Sequence, residues 1–182
     1  MERIILFGIL SIPVVIVSRR SLFKLKVHGF YRFLAWECII WLFVSNYPFW
    51  FRDAFNLNQV VSWIFLLVSI YMAVAGAILL KKMGRQEKSR DDKALFQFEK
   101  TTRLVDRGIY TYIRHPLYSS LLFLTWGIFL KHTSYFLLLI ALLSTAFLFI
   151  TAVFDEKECL TYFGEKYRDY MNRSKRFIPH IL

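Results

Sequence analysis

The clearest structural signal in the chain is residues 60–80, VVSWIFLLVSIYMAVAGAILL, which include no charged side chain. A helix of about 20 apolar residues matches the thickness of the hydrocarbon core of a bilayer. Only Ser62, Ser69 and Gly76 interrupt the run with small or polar side chains. The segment therefore predicts a membrane-spanning helix.

Other apolar blocks extend this pattern, at residues 4–17, 33–51, 117–130 and 135–154. The block at 4–17 has the length of a signal-peptide core. However, Arg19 and Arg20 follow it where a cleavage site with small residues is expected, so we predict a retained helix. The block at 117–130 is shorter than a usual span. Lys131 comes directly after it, and we expect this ammonium group to extend toward the lipid headgroups.

These blocks predict the fold class all-α, a polytopic membrane helical bundle. About five transmembrane helices are expected, plus a cytoplasmic C-terminal amphipathic helix. We expect residues 1–182 to form a single membrane domain, with the first spans in residues 1–75 and the remaining elements in residues 76–182. Of the 182 residues, 57% are hydrophobic and 19% aromatic, which excludes a disordered chain.

Cysteine usage carries little information. Cys38 lies in an apolar block and Cys159 in a charged segment, so we expect no disulfide between them. Two cysteines are too few for a disulfide framework or for a zinc site built from cysteine alone. The sequence predicts no metal site.

Basic residues orient the bundle. Lys and Arg together number 24 against 13 Asp and Glu, and they concentrate between particular blocks: four at 19–29, ten at 81–116 and six at 155–182. Positive charge favours the cytoplasmic side, so we expect the N-terminus outside, and the long loop and the C-terminal segment inside. The same charge excess is compatible with nucleic-acid binding. We expect no nucleic-acid partner, because topology and anionic lipid already account for basic residues beside spans.

The most specific segment is residues 104–118, LVDRGIYTYIRHPLY. Pro116 suits the first position of a helix, which places Arg114 and His115 at the helix N-terminus on the membrane surface. Such an end carries partial positive charge and free amide donors, so it favours an anion. Two interpretations stay open: a ligand site, or simple anchoring to lipid phosphates. The nearby Tyr110 and Tyr118 could stack on a planar ligand or act as interfacial aromatic residues.

Residues 155–173 show apolar and aromatic side chains at steps of three and four, which predicts one amphipathic helix. Glu156 is its unusual member, because it lies where the last span leaves the bilayer. We expect this carboxylate to be solvated, to pair with Arg114, or to face a cationic ligand. Gly164 interrupts the helix and favours a kink.

Three motifs together resemble a known family. They are GIYTYIRHPLY at 108–118, Asp155-Glu156 followed by FGEKY at 163–167, and RFIP at 176–179. Their order and spacing resemble the integral-membrane methyltransferases, which comprise the isoprenylcysteine carboxyl methyltransferases and the related phospholipid methyltransferases. The resemblance covers roughly residues 76–180, so that residues 76–182 correspond to a methyltransferase-like core.

The resemblance implies S-adenosylmethionine as cofactor, bound on the cytoplasmic side. It implies cofactor contacts from Leu104, Val105, Gly108, Tyr110, His115, Pro116, Tyr118 and Glu156. It also implies a lipid or a lipid-modified molecule as acceptor, either an isoprenylcysteine-type carboxylate or a phospholipid amine.

The two acceptor types place different demands on the site. A carboxylate needs only a cation to hold it, for which Arg114 and Arg176 are candidates. An amine must lose a proton, and Glu156 or His115 is then the candidate base. We therefore expect Arg114, Glu156 and Arg176 to be the catalytic residues.

The chain also departs from the family pattern. Ser120 stands where the family has glycine, Asp155 replaces a glutamate, and an arginine that often precedes the acidic pair is missing at 152–154. Two alternatives therefore remain: a non-catalytic membrane protein that retains the fold, and a membrane reductase that uses NADPH. The sequence does not predict an oligomeric state.

Overall fold

The computed structural model describes residues 1–19, 22, 28–84 and 101–179. The described residues form six α-helices: α1 Glu2–Ser18, α2 His28–Asn46, α3 Leu57–Met83, α4 Pro116–Phe129, α5 Tyr135–Phe163 and α6 Glu165–Arg173. Two short 3-10 helices, Tyr47–Phe49 and Gly108–Thr111, complete the regular structure of these residues. The predicted all-α fold class is confirmed.

Two of the helices, α3 and α5, are long and apolar enough to cross a membrane, judged by length and composition. Only 22% of the most apolar window of α3 is buried inside the protein, and 33% of that of α5. The apolar side chains of Leu67, Ile70 and Val74 consequently lie exposed along α3. Helix α4 is apolar but has only 14 residues. The number of five spans stays a prediction.

The second helix differs from the predicted block at 33–51. Helix α2 begins at His28 and ends at Asn46, and the chain continues as the 3-10 helix Tyr47–Phe49. Pro48 has no amide hydrogen to donate, so it cannot continue the α-helical hydrogen bonding. The buried Asn46 side chain instead donates hydrogen bonds to the carbonyl groups of Ile128 (2.8 Å) and His132 (3.2 Å). These bonds tie the end of α2 to the end of α4.

The prediction of one amphipathic helix over residues 155–173 is wrong. Residues 155–163 continue α5, and Gly164 separates α5 from α6. Gly164 has a φ of +61°, in the left-handed region that other residues rarely adopt. The side chains change from apolar to polar at residue 155, but α5 does not end there. The helix ends at Phe163, because the backbone conformation of Gly164 stops it.

The bundle is assembled from two main helix pairs, α3 against α4 and α2 against α5. At the α3–α4 contact, the Ser62 hydroxyl donates to the Gly127 carbonyl at 2.6 Å. A Cβ atom on Gly127 would lie 3.0 Å from the Leu66 side chain, closer than most Cβ contacts, so a larger residue would have to displace Leu66. The short α4 is thus held closely along α3.

Lys131, at the turn between α4 and α5, does not extend toward headgroups as expected. Its residue is only 4% exposed. The ammonium lies 3.6 Å from the centre of the Trp63 ring and donates to Gln59 Oε1 at 3.0 Å. Attraction to the aromatic face and this hydrogen bond stabilise the buried cation.

Ser134 then caps α5 by accepting a hydrogen bond from the Leu137 amide at 3.2 Å.

Candidate active site

The start of α4 is held by the C-terminal segment of the chain. The amide of Arg114 donates to the Lys175 carbonyl at 2.8 Å, and the amide of His115 donates to the Arg176 carbonyl at 3.2 Å. The Lys175 amide in turn donates to the Tyr112 carbonyl at 2.9 Å. This parallel pairing places the Arg176 side chain beside that of Arg114.

Glu156 joins these two segments to α5. Its Oε1 atom accepts from Arg114 Nε at 2.8 Å and from Arg176 Nε at 3.0 Å. Its Oε2 atom accepts from Arg176 Nη2 at 2.7 Å. Charge-assisted hydrogen bonds of this kind are about twice as strong as neutral ones. Arg114 Nη1 also donates to the carbonyl groups of Ser174 and Met171, so the guanidinium is held on both sides.

His115 is buried between the two adjacent carboxylates of α5. Its Nδ1 lies 3.4 Å from Asp155 Oδ2, and its Nε2 lies 3.3 Å from Glu156 Oε1. Burial by itself lowers the pKa of His115, but the hydrogen bonds to Asp155 and Glu156 outweigh it and raise the pKa above the ordinary value. The ring stacks on Tyr118 with centroids 5.3 Å apart. The imidazole is therefore fixed in orientation and favoured in its protonated form.

Two tyrosines of α6 close the other side of the site. Burial raises the pKa of Tyr167 and of Tyr170, so both remain protonated phenols. The Tyr170 hydroxyl donates to the Tyr110 carbonyl at 2.6 Å. At the surface nearby, Arg173 Nη2 pairs with Asp106 Oδ2 at 2.6 Å. These contacts dock α6 on the segment that precedes α4.

A cavity lies between these elements. It leaves about 650 Å³ free of protein atoms, including its opening to solvent. Its lining combines aromatic and aliphatic walls with a polar end, and it comprises Leu80, Thr101, Leu104, Val105, Tyr110, Arg114, His115, Pro116, Leu117, Tyr118, Asp155, Cys159, Phe163, Tyr167 and Tyr170.

Most of the residues predicted for the site lie around this cavity: Leu104, Val105, Tyr110, Arg114, His115, Pro116 and Tyr118. Gly108, Glu156 and Arg176 lie outside its lining. Gly108 has a φ of +62° and a Cβ there would lie 2.8 Å from Leu79, so this glycine forms a tight turn against α3. Glu156 and Arg176 instead contact residues that line the cavity. Glu156 accepts a hydrogen bond from Arg114 and faces His115, and the Arg176 carbonyl accepts a hydrogen bond from the His115 amide.

Part of the cavity lining was not predicted from the sequence. Asp155, Cys159 and Phe163 face the cavity from successive turns of α5. Their spacing of four residues places them on one helix face, and this regularity was a usable signal. Tyr167 and Tyr170 were recognised as part of an apolar stripe, and Tyr167 also as part of the FGEKY motif, but neither was predicted as a site residue. Their place in the cavity depends on the break at Gly164, which redirects α6.

Comparisons with known proteins identify the family of the chain. A family model described as phospholipid methyltransferase matches residues 59–167. The chain is 32% identical over 73 residues to the methanethiol S-methyltransferase of Pseudomonas deceptionensis, which covers 40% of this chain and 27% of that protein. It is 28% identical over 71 residues to methanethiol S-methyltransferase 1 of Bradyrhizobium diazoefficiens, which covers 39% of this chain and 24% of that protein.

The chain therefore aligns with about a quarter of the length of these curated relatives. No solved structure gives a significant match. The family match begins within α3, spans α4 and α5, and ends in α6 at Tyr167, so it includes every residue that lines the cavity except Tyr170. The predicted membership of the membrane methyltransferases is confirmed, and the chain belongs to the phospholipid methyltransferase family.

Proposed function

We propose that this protein transfers a methyl group from S-adenosylmethionine to a thiol or amine at the membrane surface. The observation that supports this most directly is the meeting of the α4 start, the α5 exit and the C-terminal segment at one cavity. Family membership supports the reaction class, and the chemistry of the lining supports the cofactor.

The donor set of the cavity suits a zwitterionic nucleoside. When bound, S-adenosylmethionine supplies an activated methyl group on a sulfonium. The Asp155 carboxylate lines the cavity and can accept hydrogen bonds from the amino group of the cofactor. Tyr110 and Phe163 offer aromatic faces for a base. Leu104 and Val105 provide the apolar border that the resemblance implies.

Glu156 in this proposal is a positioning residue. Its carboxylate is saturated by Arg114, Arg176 and His115, and it does not line the cavity. It fixes the direction of the His115 ring and anchors the C-terminal segment on α5. Arg176 donates to the same carboxylate and so connects the C-terminal segment to α5.

The hydrogen bonds that Arg114 and Arg176 already make limit which methyl acceptor they can hold. The Nε atoms of Arg114 and Arg176 and the Nη2 atom of Arg176 donate to Glu156. An acceptor carboxylate would have to compete with Glu156 for these donors. The geometry therefore favours a thiol or a phospholipid amine over an isoprenylcysteine-type carboxylate. The matched relatives are named as methyltransferases of a thiol, methanethiol.

We place the site at the cytoplasmic face of a bundle with five spans and an external N-terminus. Support comes from the basic residues near the site, including Lys81 and Lys82 at the end of α3 and Arg103 and Arg107 before α4. Positive charge concentrates on the cytoplasmic side of membrane proteins. A lipid acceptor would then approach between the spans with its polar head at the cavity.

The test is cofactor binding followed by methyl transfer in the full chain reconstituted in lipid nanodiscs. Calorimetry should show saturable binding of S-adenosylmethionine, and the radiolabelled cofactor should transfer its methyl group to a short alkanethiol or to phosphatidylethanolamine. The variant Glu165→Gln, an exposed carboxylate on α6, is the matched control and should behave as the wild type. Saturable binding of NADPH without binding of S-adenosylmethionine would contradict the proposal, as would cofactor binding without methylation of any lipid or thiol tested.

A further inference from the structure

His28 is an unexplained buried group close to the cavity. It begins α2, lies outside the segment matched by the family model, and is completely buried. Its Nδ1 atom lies 2.8 Å from Glu158 Oε2, across 130 residues of sequence. Nothing in the cofactor proposal requires an imidazole at this position.

Asp155 connects His28 to the cavity. The side chains of His28, Asp155 and Glu158 each have a polar atom within 4.8 Å of the others. Asp155 lines the cavity, where its Oδ2 also faces His115 Nδ1 at 3.4 Å. The Glu158 side chain, one turn further along α5, is 25% exposed to solvent. Arg32, on the next turn of α2, is the other charged group near His28.

These three groups form a continuous path of proton-binding groups from the cavity to solvent. The polar atoms of the three side chains lie within 4.8 Å of one another, a separation that one bridging water can span. A purely structural ion pair needs only His28 and Glu158. Removal of a proton from the cavity also needs a carboxylate in the cavity wall. Asp155 supplies this carboxylate, and the His28 imidazole lies behind it.

We propose that Asp155, His28 and Glu158 are a proton relay that carries away the proton of the methyl acceptor. The proposal rests on the proposed function and names its substrate class, a nucleophile that carries a proton. The acceptor sulfur or nitrogen forms a bond to the methyl carbon as the carbon–sulfonium bond breaks, and that electron pair remains on the cofactor sulfur. The proton of the acceptor passes to Asp155 and, through one water, to His28, which releases a proton to Glu158 and solvent.

Proton affinities explain why a relay is needed. A thiol titrates near pH 8.5 and an aspartic acid near pH 3.9, so Asp155 alone is a poor final holder of the proton. An imidazole titrates near pH 6.5 and is a much closer match. Glu158 is partly exposed, so it can pass the proton on to water and return the relay to its starting state. A carboxylate acceptor is already ionised and would make no use of these residues.

The experiment compares His28→Gln and Glu158→Gln with the wild type, using a short alkanethiol as acceptor. Both variants keep a hydrogen-bonding side chain but cannot carry a proton at neutral pH. We expect kcat to fall by about a hundredfold, the usual range for loss of proton transfer, while calorimetric affinity for S-adenosylmethionine is unchanged. Glu158→Asp should recover part of the rate. Glu165→Gln, the matched surface carboxylate, should retain the full rate.

A readout independent of turnover follows the His28 ring by NMR in protein labelled with 15N-histidine. The chain has four histidines, and the signal lost in His28→Gln identifies this one. In Asp155→Asn the His28 ring should titrate at lower pH, because a neighbouring anion that stabilises the imidazolium has been removed. An unchanged titration would overturn the relay.

The failure of the relay is distinguishable from failure of the proposed function. Absence of cofactor binding and methyl transfer in the wild type rejects both. Alkanethiol methylation at the wild-type rate in His28→Gln and Glu158→Gln rejects the relay alone. So does methylation restricted to a prenylcysteine carboxylate, and so does a stoichiometric metal ion that copurifies with the wild type and is lost in His28→Gln.

Discussion

At the residue scale, the site depends on one carboxylate. Glu156 accepts hydrogen bonds from two guanidinium groups and faces the imidazole of His115, and all of these groups are shielded from solvent to a large extent. Removal of one partner from such a cluster leaves an uncompensated charge in a medium of low polarity. The cluster is therefore costly to disturb, and its substitutions should affect both folding and the cavity.

We expect Glu156→Gln to destabilise the protein by about 3–5 kcal/mol, the range for breaking a buried ion pair. The same substitution at Glu165, whose side chain is 75% exposed beside Arg168, should change stability by less than about 1 kcal/mol. Thermal unfolding in detergent, followed by circular dichroism, compares the two variants. Equal stability of Glu156→Gln and the wild type would show that the hydrogen bonds from Arg114 and Arg176 to Glu156 do not hold the C-terminal segment.

The charge state of His115 makes part of the stability depend on pH. Because Asp155 and Glu156 raise the pKa of His115 in the folded protein, the imidazolium stabilises the fold fully below about pH 6.5, the unfolded value. This contribution is lost as the pH rises through the raised pKa. The melting temperature of the wild type should therefore exceed that of His115→Asn most at pH 6 and least at pH 9. A difference that grows with pH would contradict the assignment.

The sequence allowed prediction of Arg114, His115, Glu156 and Arg176 as one cluster, because each stands in or beside a recognisable motif. His28 was not predicted, since its partner Glu158 lies 130 residues away and no local pattern marks the pair. Asp155 was recognised as part of the acidic motif and as a departure from the family pattern, but not as a site residue. Its role became visible once α5 was seen to continue beyond the apolar segment.

At the element scale, Gly164 determines how α6 meets the cavity. The chain changes direction there with a positive φ, which lets Tyr167 and Tyr170 pack toward the segment before α4. Helices α3 and α4 were predicted to within a few residues, because their apolar runs end close to the helix ends. The end of α5 could not be predicted from hydropathy, since a helix continues through polar residues until the backbone stops it.

We expect Gly164→Ala to destabilise the protein by about 1–3 kcal/mol, the cost of holding a residue with a Cβ in a sparsely populated backbone region of positive φ. The Cβ itself has space, because nothing lies within 4 Å of its position. Gly8 in α1 has equally open surroundings but no positive φ, so Gly8→Ala should be neutral or slightly stabilising. Thermal unfolding of the two variants isolates the backbone effect. Similar melting temperatures for both would show that α6 does not need this conformation.

At the scale of the whole molecule, the hairpin of α4 and α5 explains why the site exists. Helix α4 runs away from Arg114 and His115, residues 130–134 reverse the chain, and α5 returns to the same end of the bundle with Asp155 and Glu156. The long α5 extends past the start of α4 and so presents its polar last turns beside it. An antiparallel pair of unequal helices thus places the two motifs together, although 40 residues separate them in sequence.

The measurement that tests the account most directly is photochemical crosslinking of radiolabelled S-adenosylmethionine to the full chain in nanodiscs, followed by peptide mapping. The account predicts saturable labelling confined to peptides that contain residues 104–118 and 155–170, with the label suppressed by unlabelled cofactor and lost in His115→Ala. Saturable label confined to peptides from the first half of α3, which packs against the far end of α4, would contradict it.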